Sequence, residues 1–205
     1  MIVYIESNFV LEIALEQEQS SAARSILSLA KNHQIELAYP SFVLSEPFES
    51  VMRASRERNT LQKSLVDVLN NLKRSEPHKH IMLNTEPTMA ALKNAHLRQI
   101  ELLHSTFSQL MDIGRCIYLD GSNFREALSY QYSLNLSPQD SIIYVAIVAD
   151  LKKQPKQEAK CFLSRDRKAF GNANDPSIKI ALGKYNCRYI ASFTQGLDFL
   201  HSSLK

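Results

Sequence analysis

The chain has 205 residues, 44% of them apolar, which is enough for one domain with a buried core, or for one domain carrying a sizeable insertion. Its formal charge of +3 and pI near 8.7 permit contact with a polyanion but fall short of the strongly basic balance that by itself points to nucleic acid. Cys116, Cys161 and Cys187 are widely spaced with no C-x-x-C, which excludes a disulfide framework or zinc knuckle and predicts buried free thiols in a reducing cytoplasm. The N-terminus lacks a basic n-region and meets a carboxylate at Glu6, so no secretory signal is expected and the chain is read as starting directly in folded structure. The longest apolar stretch, residues 142–149, is far shorter than the ~20 residues a membrane-spanning helix needs and is expected to be a core helix.

Residues 2–5 are β-branched or aromatic without polar alternation, the pattern of a strand buried on both faces of a parallel sheet. After Asn8 a helix is predicted through Phe9, Val10, Ile13 and Ala14, then a second over residues 21–32, and a strand over 35–39. Pro40-Ser41 opens a long helical region carrying Leu44, Phe48, Val51 and Met52, with a break expected near Asn59 before Leu61, Leu65, Val68, Leu69 and Leu72 resume the pattern. Residues 73–87 are charged, hold two prolines and read as a loop, the best candidate linker. Apolar positions from Met89 to Met111 recur every three or four residues, predicting a long amphipathic helix over 88–113 that pairs with the preceding one. A strand at 116–119, a helix at 124–134, an apolar helix from Ser137-Pro138 to about Leu151, a strand at 161–164, a helix at 176–183, a strand at 188–191 and a helix at 194–201 complete the chain. Alternating strands and helices imply an α/β protein, three layers deep, around a mainly parallel sheet.

Four carboxylates occupy telling places in this order. Glu6 ends the first strand, Glu46 lies about one and a half turns into the first long helix, Asp140 sits in the first turn after Ser137, and Asp166 follows the 161–164 strand. In an open parallel sheet ligands bind beyond the carboxyl ends of the strands, where all four side chains can meet. Carboxylates that converge and stay ionised need a cation among their oxygens.

The stretches Val3-Tyr4-Ile5-Glu6-Ser7-Asn8, Pro40-Ser41-Phe42-Val43-Leu44-Ser45-Glu46, Leu136-Ser137-Pro138-Gln139-Asp140-Ser141-Ile142-Ile143 and Phe162-Leu163-Ser164-Arg165-Asp166-Arg167-Lys168-Ala169-Phe170 together resemble the PIN-domain nucleases, which include the toxins of many bacterial toxin and antitoxin pairs. The resemblance implies a single PIN-like domain over residues 1–205, with a helical insertion at about 59–113 that the compact form of the family lacks. It implies Mg²⁺- or Mn²⁺-dependent hydrolysis of RNA, with Glu6, Asp140 and Asp166 as metal ligands and Glu46 a ligand or a base orienting water. Asn8, Ser164 and Asp175 are expected around that first set of ligands, and Arg165, Arg167, Lys168, Arg53 and Arg56, with Arg58 and Lys63, against RNA phosphates. RNA, a protein antitoxin and a second copy of the chain are the implied partners. The family usually has aspartate where Glu6 stands, and the extra methylene changes metal geometry, so a catalytically weak RNA-binding or scaffold protein is the alternative.

Plainer readings exist for single residues. Asp140 can serve a capping exchange with Ser137, Asp175 before Pro176 is a natural helix cap, and Asp166 can pair with its arginine neighbours. The basic residues read most simply as a solvated face, and His78 and His80 as part of a loop.

Overall fold

The computed structural model describes residues 1–78, 86–172 and 175–204. Five parallel strands, β1 (Ile2–Ile5), β2 (Glu36–Pro40), β3 (Arg115–Ile117), β4 (Lys160–Leu163) and β5 (Cys187–Ile190), form one sheet in the order β3-β2-β1-β4-β5. Each residue of β1 and β4 is buried, as the apolar runs Ile2–Ile5 and 161–163 predict for central strands covered on both faces, and Lys160 at the start of β4 is buried with them. Their register places Ile2 opposite Lys160 and Ile5 opposite Leu163.

On one face, Val3, Ile5, Leu37, Tyr39 and Leu163 pack against α1 (Ser7–Ala14), α2 (Ser20–Lys31) and the last helix, α8 (Phe193–Ser203). Val51 of α3 (Glu46–Leu72) and Leu103 and Leu110 of α4 (Glu86–Ile113) join the same core, so the two long helices lie partly over the sheet rather than beside it. On the other face, Tyr4, Ala38 and Phe162 meet α6 (Pro138–Leu151) and α7 (Ser177–Gly183). There α5 (Gly121–Ser133) covers α6, with the Tyr130 and Tyr144 rings edge to face at 5.2 Å.

The boundaries differ from expectation where side chains act on helix ends. Residues 41–44 form a short 3-10 turn and α3 begins at Glu46, so Glu46 is the first residue of the helix and not one and a half turns inside it. Pro47 explains the shift: without an N–H and with a ring that clashes with the preceding turn, it is tolerated in a helix's first turn only. Helix α4 is described from Glu86 onward and carries Pro87 at its second residue. The expected break near Asn59 is absent, because α4 runs beside α3 and Arg58 donates to Gln99 Oε1 across the pair at 2.6 Å. Of the loop expected at 73–87, residues 76–78 form a 3-10 turn, while 79–85, His80 among them, lie outside the described residues. Helix α5 starts three residues earlier than its apolar pattern, where Asp120 accepts from the N–H groups of Ser122 and Asn123 at 2.8 and 3.0 Å in a capping box.

Two buried polar groups fix the layers. Asp150 of α6 accepts two bonds from Arg115 of β3, at 2.6 and 2.9 Å, and one from the Tyr4 hydroxyl of β1 at 2.7 Å. Burial pushes the Asp150 carboxyl up, but Arg115 and Tyr4 outweigh it and leave it below the usual range. Lys160, 1% exposed, gives its ammonium protons to the carbonyls of Pro155, Glu158 and Tyr185 at 2.6, 2.8 and 3.2 Å, which satisfies a cation in the sheet interior.

Candidate active site

The chain leaves β1 toward β2 and leaves β4 toward β5, so the connections diverge in opposite directions between these two neighbours. The carboxyl ends of β1 and β4 thus flank the topological switch point of the sheet, where an open α/β fold has its crevice. Glu6 directly follows β1, and Ser164 directly follows β4.

Glu6 is 3% exposed and caps α1, its Oε2 accepting from the Asn8 N–H at 2.8 Å. Its Oε1 is buried with no hydrogen-bond partner. Burial, with a smaller push from the charge of Glu46, raises the Glu6 carboxyl to about 8 against the opposing pull of Asn8 and Ser164. Glu46 is half-buried and accepts a hydrogen bond from the Ser7 hydroxyl, which ties the first turn of α3 to the first turn of α1.

The second pair stands on the other side. Asp140 is half-buried, and its Oδ2 accepts from the Ser137 hydroxyl at 2.5 Å while its own N–H donates to Ser137 Oγ at 3.2 Å. Burial raises the Asp140 carboxyl, Ser137 opposes this, and the nearby charge of Asp166 raises it again. The Asp166 N–H donates to Ser164 Oγ at 3.0 Å, and its Oδ1 accepts from the Ala169 N–H at 2.8 Å. Ser164 therefore touches one pair through its hydroxyl and influences the other. The Tyr189 hydroxyl shares its proton between the carbonyls of Ser164 and Asp166, at 3.0 and 3.2 Å, and after burial the charges of Asp166 and Glu6 both push its phenol up.

The charge of Glu46 acts on Glu6 and that of Asp166 on Asp140, which groups the four carboxylates as two pairs. Among the described residues no three His, Cys, Asp or Glu side chains stand close enough to form a ready-made metal cage. Asp175 is exposed, and its Oδ1 accepts from the Ser177 N–H at 3.0 Å at the start of α7.

The basic residues divide in the same way. Arg165 is engaged by the fully buried Glu12 and, at 3.2 Å, by Glu18. Arg167, Lys168, Arg53, Arg56 and Lys63 are exposed, whereas Arg58 is half-buried against Gln99. A sequence model of the PIN domain matches residues 3–170, a span that contains every one of the four carboxylates.

The chain belongs to the PIN domain family. No curated protein and no solved structure matches it. PIN domains are in general nucleases that work with divalent metal ions, and the all-parallel five-stranded sheet between helical layers is that of a PIN-like fold. The match runs through the long helices α3 and α4, while β5 and α8 follow it in the chain.

Three residues that shape this PIN domain's site escaped the sequence reading. Glu12 carried a usable signal, since a lone carboxylate among Phe9, Val10, Ile13 and Ala14 must find partners once buried, here Arg165 and the Gln19 N–H at 2.5 Å. Ser7 and Tyr189 carried none, because their roles depend on which helix and which strand lie next to them.

Proposed function

We propose that the protein is a divalent-cation-dependent ribonuclease that hydrolyses RNA phosphodiester bonds in the cytoplasm, with Mg²⁺ or Mn²⁺ as cofactor. Glu6 carries the reading: a carboxyl at the switch point, 3% exposed, with one oxygen lacking any donor and a second carboxylate nearby. Such a group is costly to ionise within protein alone, and a cation removes that cost. The donors are carboxylate oxygens without sulfur or imidazole, a set suited to hard cations.

Glu6, Asp140 and Asp166 would hold the cation, with Glu46 a further ligand or the base that orients water. Bound there, the cation supplies an activated water and neutralises charge on the phosphoryl oxygens. The chain's own part is orientation. The Asn8 N–H fixes one oxygen of Glu6, Ser137 fixes one of Asp140, and the loop carrying Asp166 is held by Ser164 and Tyr189. Arg167 and Lys168 beside Asp166, and Arg53 and Arg56 on α3, all exposed, would take phosphates without reading sequence. Arg165, held by two glutamates, braces the loop instead.

Purified protein is expected to cut single-stranded RNA with Mn²⁺, to stop on chelation, and to fall to background in Asp140→Asn and Glu6→Gln. Cleavage that persists in both variants refutes the site. A non-catalytic RNA-binding or scaffold role is the second reading, favoured by the raised carboxyl of Glu6 and by the separation of the carboxylates into two pairs. RNA binding without cleavage at millimolar Mn²⁺ is its signature.

A further inference from the structure

At the open edge of the sheet, β5 runs between α7 and α8 and faces two adjoining depressions of 810 and 480 Å³. They share Lys179, Arg188, Tyr189 and Phe199, so they form one groove along the edge strand. Arg167, the residue after Asp166, lines its nearer part. The floor is anchored on the candidate active site itself, since the Tyr189 hydroxyl donates to the carbonyls of Ser164 and Asp166.

The charge of this groove is one-sided. Arg167, Lys179 and Arg188 line it against the single carboxylate of Asp198, and among the described residues no carboxylate pairs with any of the three cations. Aromatic faces carry two of them: Lys179 Nζ lies 5.9 Å from the centroid of Tyr189, and the Arg188 guanidinium carbon lies 5.4 Å from that of Phe199. Unpaired cations interleaved with aromatic rings form the surface that single-stranded nucleic acid uses, phosphates against charge and bases against rings. A polypeptide strand added to the β5 edge would meet three cations against the one carboxylate of Asp198, so charge complementarity favours the polyanion.

We propose that the β5 groove is a binding track for single-stranded RNA that carries the strand away from the candidate active site, with Arg167, Lys179 and Arg188 as phosphate contacts and Phe199 and Tyr189 as its apolar floor. The track rests on the ribonuclease reading for its choice of RNA. It extends the substrate contact beyond the residues flanking Asp166 to a site on two further elements, α7 and β5.

Fluorescence anisotropy of an end-labelled single-stranded 12-mer RNA in EDTA tests it without any cleavage. Lys179→Gln with Arg188→Gln, both exposed positions, is expected to weaken binding roughly tenfold at low salt and to reduce the slope of log affinity against log salt by ~1.4, the share of two phosphate contacts on a single strand. Lys73→Gln with Arg74→Gln removes the same charge from exposed positions just past the end of α3, which do not line the groove, and is expected to leave binding near wild type. Unchanged melting temperature and circular dichroism establish that both double variants fold. Equal affinity of the groove variant and wild type overturns the track and leaves the edge to a peptide strand; equal losses in both variants overturn it as well, reducing it to net charge. Failure of the ribonuclease reading shows separately, as wild-type protein that binds the 12-mer and does not cut it with Mn²⁺.

Discussion

A carboxyl group that is 3% exposed with one oxygen lacking a donor has two comfortable states, protonated or ionised against a cation. Glu6 therefore couples stability to pH. Its folded-state value of about 8 lies above the ordinary 4.5, so the folded chain holds a proton that the unfolded chain releases between those values. That contribution is present in full below about 4.5 and is lost as pH rises through about 8. Melting in EDTA is expected to drop over this window in wild type and to flatten in Glu6→Gln, which cannot ionise; parallel curves for the two proteins contradict the assignment. Glu6 was visible in the sequence as a charge ending an apolar strand. Its orphaned Oε1 was not, because which donors reach it depends on what β4 and α3 bring alongside.

At the scale of elements, the long apolar patterns placed β1, α1, α2, α4, α6 and β4 to within a few residues, because period and burial coincide there. Ends were set by residues whose local chemistry overrides the pattern: Pro47 at the start of α3, and the Asp120 capping box before α5. Between elements, the Tyr4, Arg115 and Asp150 network joins β1 and β3 to α6, the helix that presents Asp140. Removing the shared carboxylate leaves the half-buried Arg115 guanidinium with Glu36 as its one remaining ion-pair partner among the described residues and the buried Tyr4 hydroxyl without its acceptor. Asp150→Ala is expected to cost ~3 kcal/mol in urea unfolding, and Tyr4→Phe ~1 kcal/mol, since it deletes one hydrogen bond and leaves the ion pair. A loss under ~1 kcal/mol for Asp150→Ala contradicts a joining role for the network.

Across the whole molecule, carboxylates far apart in the chain reach one edge of the sheet because the strand order β3-β2-β1-β4-β5 puts the ends of β1 and β4, which lead to Glu6 and Asp166, side by side, and because α3, which begins at Glu46, packs against α1. Spacing along the chain indicated that they share one edge of the sheet; it held no information on pairing, which arises from order and register. The helices α3 and α4 leave Leu61, Val68 and Leu97 exposed by 59, 54 and 66%. A protein partner, a second copy or the antitoxin of a two-gene pair, is proposed to cover them. Light scattering of the isolated protein is expected to report a dimer that Leu61→Glu with Val68→Glu dissociates; a monomer at high micromolar concentration transfers the face to a different protein.

The two carboxylate pairs are proposed to share one divalent cation. A crystal structure with Mn²⁺ tests it most directly. The ion is expected within ~2.0–2.6 Å of oxygens from at least two of Glu6, Glu46, Asp140 and Asp166. A site that stays empty at millimolar Mn²⁺, or an ion bound away from these four side chains, contradicts it.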